Sequence, residues 1–196
     1  MAQDVDVQLD PISPVVRDLL KRGAGKEYQR LVVTSAGSRE SYEALSKLTP
    51  QGVLAKPGRD NDGARGMLCG LWLWHDHLGE AHEICQDMHS STGSFWHAIM
   101  HRREGDFSNS KYWFARSENH PVYPTLAVRS NDLTNPFPAD KSVFRLNANG
   151  WNPNAFVDLV QQVHDKPDDR RHKLAVAIQQ IEWQTLFDHC MRMAVE

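Results

Sequence analysis

His97, His101 and Glu104 fall at i, i+4 and i+7, so a helix carries all three on one face. Two imidazoles and a carboxylate one turn on are the donor types that hold zinc and its neighbours. His75, Asp76 and His82 lie about twenty residues earlier, and on a facing helix they can complete the set. The cofactor this donor set fits is a divalent transition metal. A zinc-protease motif is excluded, because Ala98 stands where H-E-x-x-H needs its glutamate. The plainer reading is that H-x-x-x-H spacing also arises on ordinary amphipathic helices, where the imidazoles pair with carboxylates or water.

The same segment supports a second chemistry. Arg102, Arg103, Lys111 and Arg116 crowd cations beside His101, and arginine forks onto carboxylate or phosphate. Trp72, Trp96, Tyr112 and Trp113 can wall such a pocket, with Asp76 and Asn109 as polar contacts. The competing account is a solvated charge run in which Arg102, Arg103, Glu104, Asp106 and Lys111 pair with one another. General acid–base work by His75, His97 or His101, oriented by Asp76, Glu80 or Glu104, is the third option. Nothing marks a nucleophile: Ser90, Ser91 and Ser94 lack a G-x-S-x-G setting.

These residues sit in one stretch, Gly63 to Pro121, which holds Trp72, Trp74, Trp96 and Trp113 of the six tryptophans. Met67, Leu71, Trp74, Leu78, Ala81, Cys85 and Met88 recur at steps of three and four, predicting one helix over 64–88. On that helix His75 and His82 share a face, and Gly79 is its weak point. Ser94 caps a second helix, Gly105-Asp106 turns the chain, and Ser108 or Asn109 opens a third that ends before His120-Pro121. This 94–116 hairpin loosely resembles a tetratricopeptide-type helical pair.

The string Trp96-His97-x-Ile99-Met100-His101-Arg102-Arg103-Glu104-x-Asp106-x-Ser108-Asn109-x-Lys111-Tyr112-Trp113 is similar to a motif of a group of uncharacterised bacterial and fungal proteins. The likeness is strongest over 69–126 and includes His75-Asp76 and Glu80-x-His82. It implies no activity, cofactor or catalytic residue. A polar string of this length does exceed what a hydrophobic core requires.

Elsewhere, Ser13-Pro14 and Gly23 bound one short helix, and Ser38 caps another. Residues 1–12 read as a tail. Residues 121–154, rich in Pro and Asn, read as a long loop covering the site. Asn152-Pro153 starts a helix over Phe156, Leu159, Val160 and Val163, and a last helix runs from Asp169 to Met193. No alternating strands stand out. Composition is ordinary for a globular chain, with 40% hydrophobic residues. The net charge of −3 argues against nucleic acid as a partner. No apolar run approaches the roughly 20 residues that cross a bilayer, and MAQDVDVQLD lacks signal-peptide character. Cys69, Cys85 and Cys190 stand singly, as buried thiols in a reducing cytoplasm.

The expectation is a mainly α, cytoplasmic, single-domain helical bundle or stack of hairpins over 13–196, with its site within 64–121. Its function is a ligand-binding or interaction module with a His/Arg/Trp-lined pocket, for a small molecule or a protein. The alternative is a metal-dependent hydrolase or oxygenase using His75, His82, His97, His101 and Glu104. The tryptophan and methionine surfaces also suit a homodimer interface.

Overall fold

The computed structural model describes residues 11–22, 27–56, 58–137 and 139–196. Most of the expected tail, 1–10, lies outside them. Its last residue is no tail: Ile12 is buried and bridges antiparallel to Leu54. The described residues are mainly helical, with ten α-helices and no strands. They are α1 (Pro14–Arg22), α2 (Arg39–Leu45), α3 (Asn61–Trp74), α4 (Leu78–Cys85), α5 (Ser91–Glu104), α6 (Phe107–Arg116), α7 (Tyr123–Thr134), α8 (Lys141–Phe144), α9 (Pro153–Val163) and α10 (Arg170–Val195). Among the described residues no helix is long and apolar enough to cross a membrane.

The central pair is α3 against α10. Gly63 and Gly66 make this approach possible. A β-carbon on Gly63 would meet the Cys190 carbonyl oxygen at 2.6 Å, and one on Gly66 would meet the Cys190 sulfur at 2.6 Å. Trp183 on α10 donates its indole N–H to the Gly70 carbonyl at 2.7 Å. It packs against Trp74 and Phe187, with ring centroids 4.5 and 4.7 Å away. Around this pair α5 and α6 form a hairpin, α4 lies between α3 and α5, and α9 packs on α6 and α10.

The expected 64–88 helix is two helices. It breaks at His75-Asp76-His77 rather than at Gly79. Asp76 takes a left-handed φ of 61°. Its N–H bonds to the Leu73 carbonyl at 3.1 Å, and the His77 N–H bonds to the Trp72 carbonyl at 3.0 Å. That pair of bonds is a Schellman termination, usually built on glycine. Aspartate tolerates the conformation better than most residues, and two arginines hold this one in place.

The expected loop 121–154 holds two helices, α7 and α8, which take up about half of it. Pro124 lies in the first turn of α7, where a missing N–H costs nothing. Asp140 caps α8 by accepting from the N–H groups of Ser142 and Val143. Pro124, read as part of a loop, is here at a helix start, and Pro153 opens α9 in the expected way.

Candidate metal centre

The turn at 75–77 folds α4 back against α5. Arg65 on α3 secures it by donating to the Ile84 and Asp87 carbonyls at 3.3 and 3.4 Å, at the end of α4. This brings His82 over the face of α5 that carries His97 and His101. One ring nitrogen from each of the three histidines lies within 4.8 Å of the other two. The ring centroids are 4.8 Å apart for His82–His97, 5.4 Å for His82–His101 and 4.7 Å for His97–His101. His97 and His101 are buried, and His82 is half-buried on the solvent side.

His97 is the focus. Its ring lies flat against Trp113, with centroids 3.9 Å apart. Both of its nitrogens are shielded from solvent and neither has a hydrogen-bond partner among the described residues. Burial, with His101 and His82 adding to it, lowers its pKa to about 3. The imidazole is therefore neutral at pH 7, the form in which histidine binds metals.

His101 is oriented by Glu104, whose carboxylate lies 3.0 Å from its Nδ1. A histidine whose Nδ1 faces a carboxylate presents Nε2 outward as the ligand atom. Asn109 places its amide nitrogen 3.4 Å from Nδ1 and 3.1 Å from Nε2. A position nearly equidistant from both ring nitrogens lies over the ring face, so Asn109 does not occupy the Nε2 lone pair. Three imidazole nitrogens match the protein-donor count of a three-histidine zinc site.

The other expected residues go elsewhere. His75 sits at the end of α3 and is not part of the trio. Asp76 is buried between Arg103 and Arg30, whose Nη2 lies 2.5 Å from its Oδ2. Arg103 also donates to the Leu73 carbonyl at 2.5 Å and lies over the Tyr28 ring, 4.1 Å from its centroid. Arg102 forks onto Glu182 of α10, with Nη1 3.0 Å from Oε1. Burial pushes the Glu182 carboxyl up, against the opposing pull of Arg102. Arg102 and Arg103 are fully buried. They form neither an open anion pocket nor a solvated charge run, because each guanidinium already has a carboxylate of its own. Trp96 is buried and donates to the Cys190 sulfur at 3.3 Å, and Trp72 packs against Tyr42 and His77. Lys111 pairs with Asp158 near the surface. Glu104 acts on His101 and is not one of the clustered donors.

One buried cluster had no local signal in sequence. His120 lies with Thr92 Oγ1 3.1 Å from its Nε2, accepts the Val122 N–H at Nδ1, and packs edge-on against His189, 5.0 Å away. Its parts come from α5, the α6–α7 turn and α10, so no spacing rule links them. No protein-family model, curated protein or solved structure matches the chain.

Proposed function

We propose that the protein binds one divalent transition-metal ion through His82, His97 and His101, with Glu104 orienting His101 and a fourth position open on the His82 side. The observation that carries this reading is the trio itself: three ligand nitrogens within 4.8 Å of one another, centred on a buried imidazole with two unpartnered nitrogens. Buried polar atoms are almost always satisfied, and an ion would satisfy one of these two. Imidazole donors suit zinc, cobalt, nickel, copper and iron. The chemistry such an ion supplies at an open position is Lewis-acid activation of water or a carbonyl, so the activity we propose is metal-dependent hydrolysis. The arginine-lined pocket has less support, since Arg102 and Arg103 are fully buried and their Nη atoms are committed to Glu182, Asp76 and the Leu73 carbonyl.

Cobalt(II) titration of metal-free protein tests the site. We expect visible absorption bands of a low-coordinate ion that saturate at one equivalent and vanish in His97→Ala. A colourless titration, or an unchanged one in His97→Ala, removes the reading. Ester and phosphoester hydrolysis by the zinc-loaded protein, lost on chelation, then tests the reaction.

A further inference from the structure

A cavity of about 310 Å³ opens between the end of α7, α8 and the turn that follows. Its chemistry differs from that of the histidine centre. Three asparagines (Asn131, Asn135 and Asn147) and Thr134 line it, with Phe137 and Phe144 as aromatic walls and no ionisable side chain among the described lining residues. Phe144 is 67% exposed. Its ring is therefore accessible beside the cavity, where a ligand can pack on it.

The amides are pre-positioned. Asn147 Nδ2 donates to Ser130 Oγ at 2.9 Å and to Asn131 Oδ1 at 3.1 Å. That fixes both side chains and leaves Asn147 Oδ1 without a donor among the described residues. Phe137 is braced by Arg170, whose guanidinium carbon is 5.2 Å from the ring centroid.

We infer that this cavity binds a neutral sugar ring. The absence of charge among the described lining residues rules against phosphate or carboxylate ligands, since a buried anion needs a cationic partner. A carboxamide presents donors and an acceptor side by side, and so does each sugar hydroxyl pair. The C–H face of a pyranose carries the weak positive charge that packs on the negative face of an aromatic ring. The volume is at the small end of ligand pockets, enough for one ring and little more. This site is separate from the metal centre and stands whether or not the centre binds metal.

Saturation-transfer NMR with methyl glucoside, methyl galactoside and methyl mannoside, with adenosine as a planar control, is the test. One of the glycosides should give a saturable signal with a millimolar Kd. Phe144→Ala should weaken it about tenfold, and Asn135→Ala should weaken it measurably. Both positions are exposed, so circular dichroism should be unchanged in either variant. No saturable signal from any glycoside, tighter binding of adenosine, or binding indifferent to both substitutions would overturn the inference.

Discussion

His101 and Arg102 are neighbours on α5, yet they belong to opposite kinds of buried polar structure. On one side of the helix Arg102 and Arg103 meet Glu182 and Asp76, and both charges of each pair are buried. On the other side His97 is also buried and stacks on the His101 and Trp113 rings, with both nitrogens left over among the described residues. A network that pairs every charge, and leaves only the Arg102 and Arg103 Nε atoms without a partner among the described residues, explains itself as structure. An unsatisfied one is a cost that folding alone does not justify. That contrast assigns the arginines to holding α5 against α3 and α10, and the histidines to a ligand.

The contrast can be broken first from the arginine side. Glu182→Ala strands a buried guanidinium and should cost about 3–5 kcal/mol in urea unfolding. Replacing both partners, Arg102→Met with Glu182→Leu, should recover most of that loss. A small effect of Glu182→Ala would mean the pair does not hold the helices.

The histidine side should behave differently. His97→Ala removes no hydrogen bond, so metal-free stability should fall only by what the lost ring packing contributes. In the parent protein, zinc at a hundred times its Kd should add about 2.7 kcal/mol by binding the folded state alone. Thermal unfolding with and without zinc measures this, and His97→Ala should abolish the increment.

His120 provides an intermediate case, a buried histidine with partners. Burial, reinforced by His189, holds its pKa at about 3, below its ordinary value of 6.5. A histidine with a depressed pKa is kept neutral by folding, so the unfolded chain binds the extra proton. Its contribution to stability is complete above about pH 6.5 and is lost as pH falls toward 3, at no more than about 1.4 kcal/mol per pH unit. His189 shifts the same way, from burial and Arg192. In His120→Gln the acid limb of a stability–pH curve should flatten. The smallest effect belongs to Lys111→Ala. Lys111 and Asp158 are 37% and 46% exposed, and a pair in water contributes under about 1 kcal/mol.

The legible parts of the fold were those whose signals are local. Ser13-Pro14, Ser38 and Asn152-Pro153 start helices as their side chains dictate, and Gly105 ends α5 with a left-handed φ of 92°. Asp76 performs the same termination on α3 and was missed, because an aspartate at that position gives no advance sign of positive φ. It works there because Arg103 and Arg30 arrive from distant segments. One helix through 75–77 would put His75 and His82 on the same face two turns apart, and the break there separates them. The trio of His82, His97 and His101 was within the expected set, but spacing could not separate it from His75 and Glu104. Arg102 and Arg103 misled for a related reason. Helix α5 is buried on every side from Thr92 to Arg103, so a polar residue on it does not mark a solvent face. Their carboxylates lie 80 and 27 residues away in sequence.

Elemental analysis of the protein, purified without added metal or chelator, tests the central claim most directly. The His97→Ala/His101→Ala variant would be measured beside it. Close to one transition-metal ion per chain is expected, lost in the variant while its helical circular dichroism is retained. A metal-free parent that also fails to take up zinc or cobalt would contradict it, and so would metal retained in full by the variant.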